Sequence, residues 1–112
     1  EEVFEGAELV VLPCQYSGVI PEVNPSVIWR CYDLKPQIVH LRHKEDDLCG
    51  QNPRFSGRTS MKSDALDSAD FSLSLRNPRL SDNGNYVCII SDGTAEITVT
   101  EVQLQVKAFE EF

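Results

Sequence analysis

Leu80-Ser81-Asp82-Asn83-Gly84-Asn85-Tyr86-Val87-Cys88 is the stretch that decides how this chain folds. Asp82, Asn83 and Gly84 are turn formers, and the tyrosine two positions before the cysteine opens a strand. Far upstream stands Cys14, followed 15 residues later by Trp29. Two distant cysteines, each in a run of alternating apolar residues, suit two sheets packed face to face. A covalent tie must then span a gap of roughly 10 Å. A tryptophan between them supplies a large side chain to pack on the tie.

This constellation is the core signature of an immunoglobulin sandwich. Cys14 pairs with Cys88, Trp29 lies against the bridge, and the Tyr86 hydroxyl turns back to the backbone near Asp82. The rest of the chain reads as all-β, with period-two runs separated by turn residues. Val10, Leu12, Cys14 and Tyr16 alternate with Val11 and Gln15. Val27, Trp29 and Cys31 point inward, with Ile28, Arg30 and Tyr32 outward. A further strand is expected over about 37–42. Phe71, Leu73 and Leu75 form the cleanest alternation, and Tyr86, Cys88 and Ile90 complete the core, with Val87 and Ile89 outside. Asp92-Gly93 marks a tight hairpin. In the last strand the apolar phase changes from Ile97 and Val99 to Val102, Leu104 and Val106, which calls for a bulge near Thr100-Glu101. The long polar interval 44–70 leaves room for two extra short strands, the variable-type (V-set) arrangement of two antiparallel sheets in a Greek key.

At 112 residues the chain is one domain, read as 1–107, with 108–112 a linker or an appended tail. Ten basic and 18 acidic residues give a net charge of -8, which repels phosphate backbones and anionic lipid. Neither nucleic acid nor direct membrane contact is expected of this domain. No apolar run approaches the roughly 20 residues that span a bilayer, and no leader precedes the first strand, so a secretion signal would have been removed. Four cysteines suit an oxidising compartment, and once Cys14 is assigned to Cys88 a second bridge joins Cys31 to Cys49. The one candidate N-glycan sequon, Asn24-Pro25-Ser26, is spoiled by its proline.

Several segments resemble the N-terminal V-set domain of the butyrophilin and costimulatory-ligand group, which includes myelin oligodendrocyte glycoprotein. They are Glu5-Gly6-Ala7-Glu8 before Leu12-Pro13-Cys14, Val39-His40-Leu41, and Ser56-Gly57-Arg58-Thr59. The resemblance implies a structural salt bridge between Arg58 and Asp82, 24 residues apart. It also implies a type I plasma-membrane protein whose extracellular front (GFCC′) sheet binds a protein receptor on another cell and regulates lymphocyte activation. The Cys31–Cys49 pair departs from that group. A bridge there would stiffen one edge of the binding face or act as a plain staple.

Catalysis has little to stand on: His40 and His43 are the only histidines, and no nucleophile is visibly paired with either. Cys31, His40, His43 and Cys49 match no usual zinc spacing, and Glu45-Asp46-Asp47 lacks a calcium-loop pattern, so neither a metal nor another cofactor is expected. The outward residues Arg30, Tyr32, His40, Val87 and Ile89 carry the expected partner contact, being of the kinds that dominate interface energetics. On this reading Tyr32→Ala or Ile89→Ala weakens binding and leaves the melting temperature nearly unchanged. Two alternatives stand beside it. One is homophilic adhesion, in which the face self-associates; the other is a ligand-binding receptor of the polymeric-immunoglobulin-receptor type, which rests on the second disulfide alone.

Overall fold

The computed structural model describes residues 1–108, so the tail expected over 108–112 lies, apart from Ala108, outside the described residues. Among the described residues eight strands follow one another: β1 Glu2–Phe4, β2 Leu9–Leu12, β3 Ser26–Arg30, β4 Ile38–Arg42, β5 Thr59–Ser60, β6 Leu73–Arg76, β7 Gly84–Ser91 and β8 Glu96–Lys107. The front sheet runs β1-β8-β7-β3-β4 and the back sheet β2-β6-β5. All pairings are antiparallel except β1 with β8, where the chain start lies alongside the last strand and covers its edge. Of the two extra strands for which 44–70 leaves room, β5 forms. The remainder of that interval is irregular, with a 3-10 turn at Pro53–Phe55 and a short helix at Ala65–Ser68.

The two sheets close on the residues that alternation selects. Leu12, Trp29, Phe71, Leu73, Leu75, Tyr86 and Cys88 are all buried, and Cys14 is bonded to Cys88. The indole of Trp29 donates to the Phe71 carbonyl at 2.9 Å, tying the front sheet to the back through the one polar atom that the ring carries. At the lower corner the Tyr86 hydroxyl donates to the Asp82 carbonyl at 2.6 Å. The Arg58 guanidinium meets the Asp82 carboxylate in a two-pronged contact at 2.5 and 3.3 Å. Its other hydrogens go to the carbonyls of Arg54, Arg76 and Asn77. A buried ion pair satisfied on all sides holds shape more than it adds net stability.

Two bulges shift the phase of the front sheet. In β8, Cys88 faces Thr100 and Ile89 faces Thr98, so Val99 is the extra residue. That is one or two positions before the expected place, and it puts Val102, Leu104 and Val106 into the core. In β4, Trp29 faces His40 and Arg30 faces Ile38, so Val39 is extra. A residue inserted in this way lets two consecutive side chains turn to one face, and both Val39 and His40 are buried inward.

The second disulfide does not form. Cys31 is buried on the inner face, while Cys49 is exposed, and both are free thiols. The loop bearing Cys49 runs along the free edge of β4, with Asp47 N donating to Leu41 O at 2.9 Å and Asn52 N to Ile38 O at 2.8 Å. Strand β4 therefore stands between the two cysteines.

Candidate functional site: the outer face of the front sheet

Alternation places Arg30, Tyr32, His40, Val87 and Ile89 on one surface. The structure brings four of them to the outer face of the front sheet and turns the fifth away. His40 fails because the β4 bulge adds a residue that period-two counting cannot see. It sits opposite Trp29 and is 0% exposed. Its Nδ1 lies 2.9 Å from Thr59 Oγ1 and its Nε2 lies 2.8 Å from Asp46 Oδ1. Arg42 Nε donates to the same carboxylate oxygen at 2.7 Å. Burial alone would push the Asp46 carboxyl up, but the hydrogen bonds from Arg42 and His40 outweigh it and hold the carboxyl below its ordinary value. This network binds the β4–β5 edge together and offers nothing to a partner.

Val87 and Ile89 do point outward, yet they are 3% and 1% exposed. With Ile28 they form a small apolar cluster of their own, against which Ile38 and Leu41 pack. The accessible part of the face is Tyr32, 53% exposed, together with the Arg30 guanidinium. Arg30 pairs with Glu96 in fork geometry, Nη1 to Oε1 at 2.7 Å and Nη2 to Oε2 at 2.8 Å. The Glu96 hydrogen bond raises the Arg30 pKa against the opposing effect of burial, and Tyr32 adds to the rise. The same pairing lowers the Glu96 carboxyl.

Glu96, Ile38 and Leu41 were not among the expected contact residues. The β4 bulge conceals Leu41, whereas period-two counting already turns Ile38 and Glu96 outward. The signal within reach was opposite charge on two outward positions, Arg30 and Glu96, flanking the strand that carries Ile89.

A two-sheet sandwich with this disulfide, tryptophan and tyrosine corner is a variable-type immunoglobulin domain. The chain belongs to the immunoglobulin V-set family, which it matches over residues 4–107. It is similar to myelin-oligodendrocyte glycoprotein of Homo sapiens, 33% identical over 84 residues that make up 74% of this chain and 34% of that protein. It is also similar to V-set domain-containing T-cell activation inhibitor 1 of Rattus norvegicus, 34% identical over 80 residues, 70% of this chain and 28% of the relative. The solved human B7-H4 IgV-like domain superposes with a TM-score of 0.74 at 26% identity, covering 96% of this chain and 90% of that one. The chain spans about a third of the length of these curated relatives. Among the described residues no helix is long and apolar enough to cross a membrane.

Proposed function

We propose that this domain is the extracellular recognition module of a type I cell-surface protein, and that it binds a protein receptor on another cell to tune lymphocyte activation. The contact is made by the outer face of the front sheet. The observation that carries this reading is the juxtaposition on that face of an exposed Tyr32, the Arg30–Glu96 fork and a packed apolar layer beneath them. Tyrosine and arginine over a dry apolar base are the composition of an interface centre. Similarity to a relative named as an inhibitor of T-cell activation supports the class of response. The polymeric-immunoglobulin-receptor alternative loses its only support, because Cys31 and Cys49 are unbonded.

The experiment is staining with the tetramerised domain, on resting and activated leukocytes and on cells displaying the same protein. Saturable leukocyte staining that Tyr32→Ala removes is the expected result. Staining confined to cells displaying the protein itself would replace this reading with homophilic adhesion.

A further inference from the structure

Ile89 points away from the sandwich core, yet it is as dry as Ile90 beside it, both 1% exposed. Register explains how. Strand β7 lies between β3 and β8. On the outer face, Ile89 has Ile28 on one side and Thr98 on the other. Arg30 stands opposite Val87, two residues toward one end of β7, and Glu96 stands opposite Ser91, two residues toward the other. Their side chains meet at 2.7 and 2.8 Å. Because β3 and β8 are not neighbours, the pair has to cross β7, and the crossing falls at the level of Ile89.

We infer that the Arg30–Glu96 pair is a strap that hides Ile89 and Val87, and that the partner of this face opens it, setting a carboxylate on Arg30 and an apolar side chain on Ile89. The inference rests on the front-face reading for the existence of the partner, and on geometry alone for the strap. Three considerations fix the chemistry. An ion pair that is still partly solvent-facing, at 20% and 44% side-chain exposure, adds only modest net stability, so it can be opened. The two ends are unequal: the Glu96 side chain is 44% exposed and rehydrates freely, whereas Arg30 is 20% exposed and would be left as a half-buried charge. The group that needs replacing is therefore the carboxylate, to which a planar guanidinium donates two hydrogen bonds in fork geometry. The domain's net charge of -8 opposes an acidic partner at a distance, but screening confines that repulsion to about 8 Å at physiological salt.

The strap is tested without any partner, in the domain labelled at isoleucine δ1 methyls and exposed to a neutral gadolinium chelate. Ile90, buried in the core, and Ile97, 56% exposed, are internal standards. In the wild type the Ile89 methyl relaxes as slowly as Ile90. In Glu96→Ala and Glu96→Gln it relaxes at least threefold faster, toward Ile97, while Ile90 is unchanged. An Ile89 methyl equally protected in both variants overturns the strap. The partner's carboxylate is tested with the swap Arg30→Glu/Glu96→Arg, which rebuilds the strap in reverse. The expected result is a protected Ile89 with at least tenfold weaker leukocyte staining. Staining equal to wild type overturns the carboxylate. If wild-type leukocyte staining is absent or survives Tyr32→Ala, the front-face reading and its partner fall together, and the relaxation result still decides the strap.

Discussion

Nε2 of His40 lies 2.8 Å from Oδ1 of Asp46, with the ring wholly buried between the β4 bulge and β5. The other ring nitrogen faces Thr59 Oγ1, which already accepts from Gln51 Nε2 at 2.9 Å. The Thr59 hydroxyl keeps one hydrogen to give, and Nδ1 takes it if the ring is neutral with its proton on Nε2, directed at Asp46. Every polar group in the set is then satisfied. His40→Ala removes the hub, leaves a cavity and strips Asp46 and Thr59 of a partner. The expected cost is about 2–4 kcal/mol, read as a lower urea midpoint. A loss below about 0.5 kcal/mol would mean the network is ornamental.

Acid sensitivity follows from two carboxylates, the partly buried Asp70 and the exposed Asp92. The Lys62 ammonium, 2.6 Å away, and the Ser72 hydroxyl hold the Asp70 carboxyl down at about 2. The Ala95 and Thr94 amides do the same for Asp92, also to about 2. Both native values lie below the ordinary 3.8, so the unfolded chain binds more protons as pH falls. Their stabilisation is complete above the unfolded value and disappears as pH drops from about 4 to about 2. For Asp70→Asn the urea midpoint should lie below wild type at pH 6 and converge with it near pH 2. Parallel curves over that range would remove Asp70 from the acid response. Asp92 is exposed, and the Lys62 ammonium that pairs with the partly buried Asp70 is exposed too, so added salt should narrow the gap.

The sheets, the Cys14–Cys88 bridge, the packing of Trp29 and the corner at Tyr86 were legible because each depends on spacing within a regular strand. His40 was misplaced because a bulge breaks that regularity from within, and nothing in Ile38-Val39-His40-Leu41 distinguishes the extra residue. The phase change in β8 did show itself, since Val102, Leu104 and Val106 declare the new register. The burial of Val87 and Ile89 was hidden for another reason. Alternation gives direction and not exposure, and here side chains from the flanking strands close over the face. The Cys31–Cys49 pairing came from an even cysteine count, which says nothing of the strand standing between them.

Arg58 and Asp82 make the sharpest stability prediction. Asp82 accepts from the guanidinium and from the Arg79 amide at 2.8 Å, and its carbonyl holds Tyr86. Asp82→Ala strands a buried cation whose remaining partners are carbonyls. The expected destabilisation is about 3–5 kcal/mol, measured by denaturant unfolding. Tyr86→Phe, which loses a single hydrogen bond at the same corner, should cost only about 1–2 kcal/mol.

Thiol chemistry separates the two free cysteines. Burial pushes the Cys31 thiol up, and its sulfur is enclosed in the core, so it offers little thiolate to a reagent. Cys49 is exposed. Alkylation followed by mass measurement should add one label to the native domain and two after unfolding without reductant. No label in the unfolded chain would show that Cys31 and Cys49 are bonded after all.

Tyr32 and Ile89 were expected to behave alike, and the structure parts them. Tyr32 is 53% exposed, so Tyr32→Ala should leave stability within about 0.5 kcal/mol of wild type. Ile89 is 1% exposed inside a packed cluster with Ile28 and Val87. Its truncation deletes buried carbon and opens a cavity, at about 2–3 kcal/mol, which lowers the melting temperature of a domain this size by roughly 10 °C or more. Both variants should lose leukocyte staining, Tyr32→Ala through the contact alone and Ile89→Ala through the contact and the sheet that presents it. Calorimetry beside staining distinguishes the routes. If Tyr32→Ala melted as low as Ile89→Ala, its side chain would be supporting the fold and could no longer be assigned to the partner.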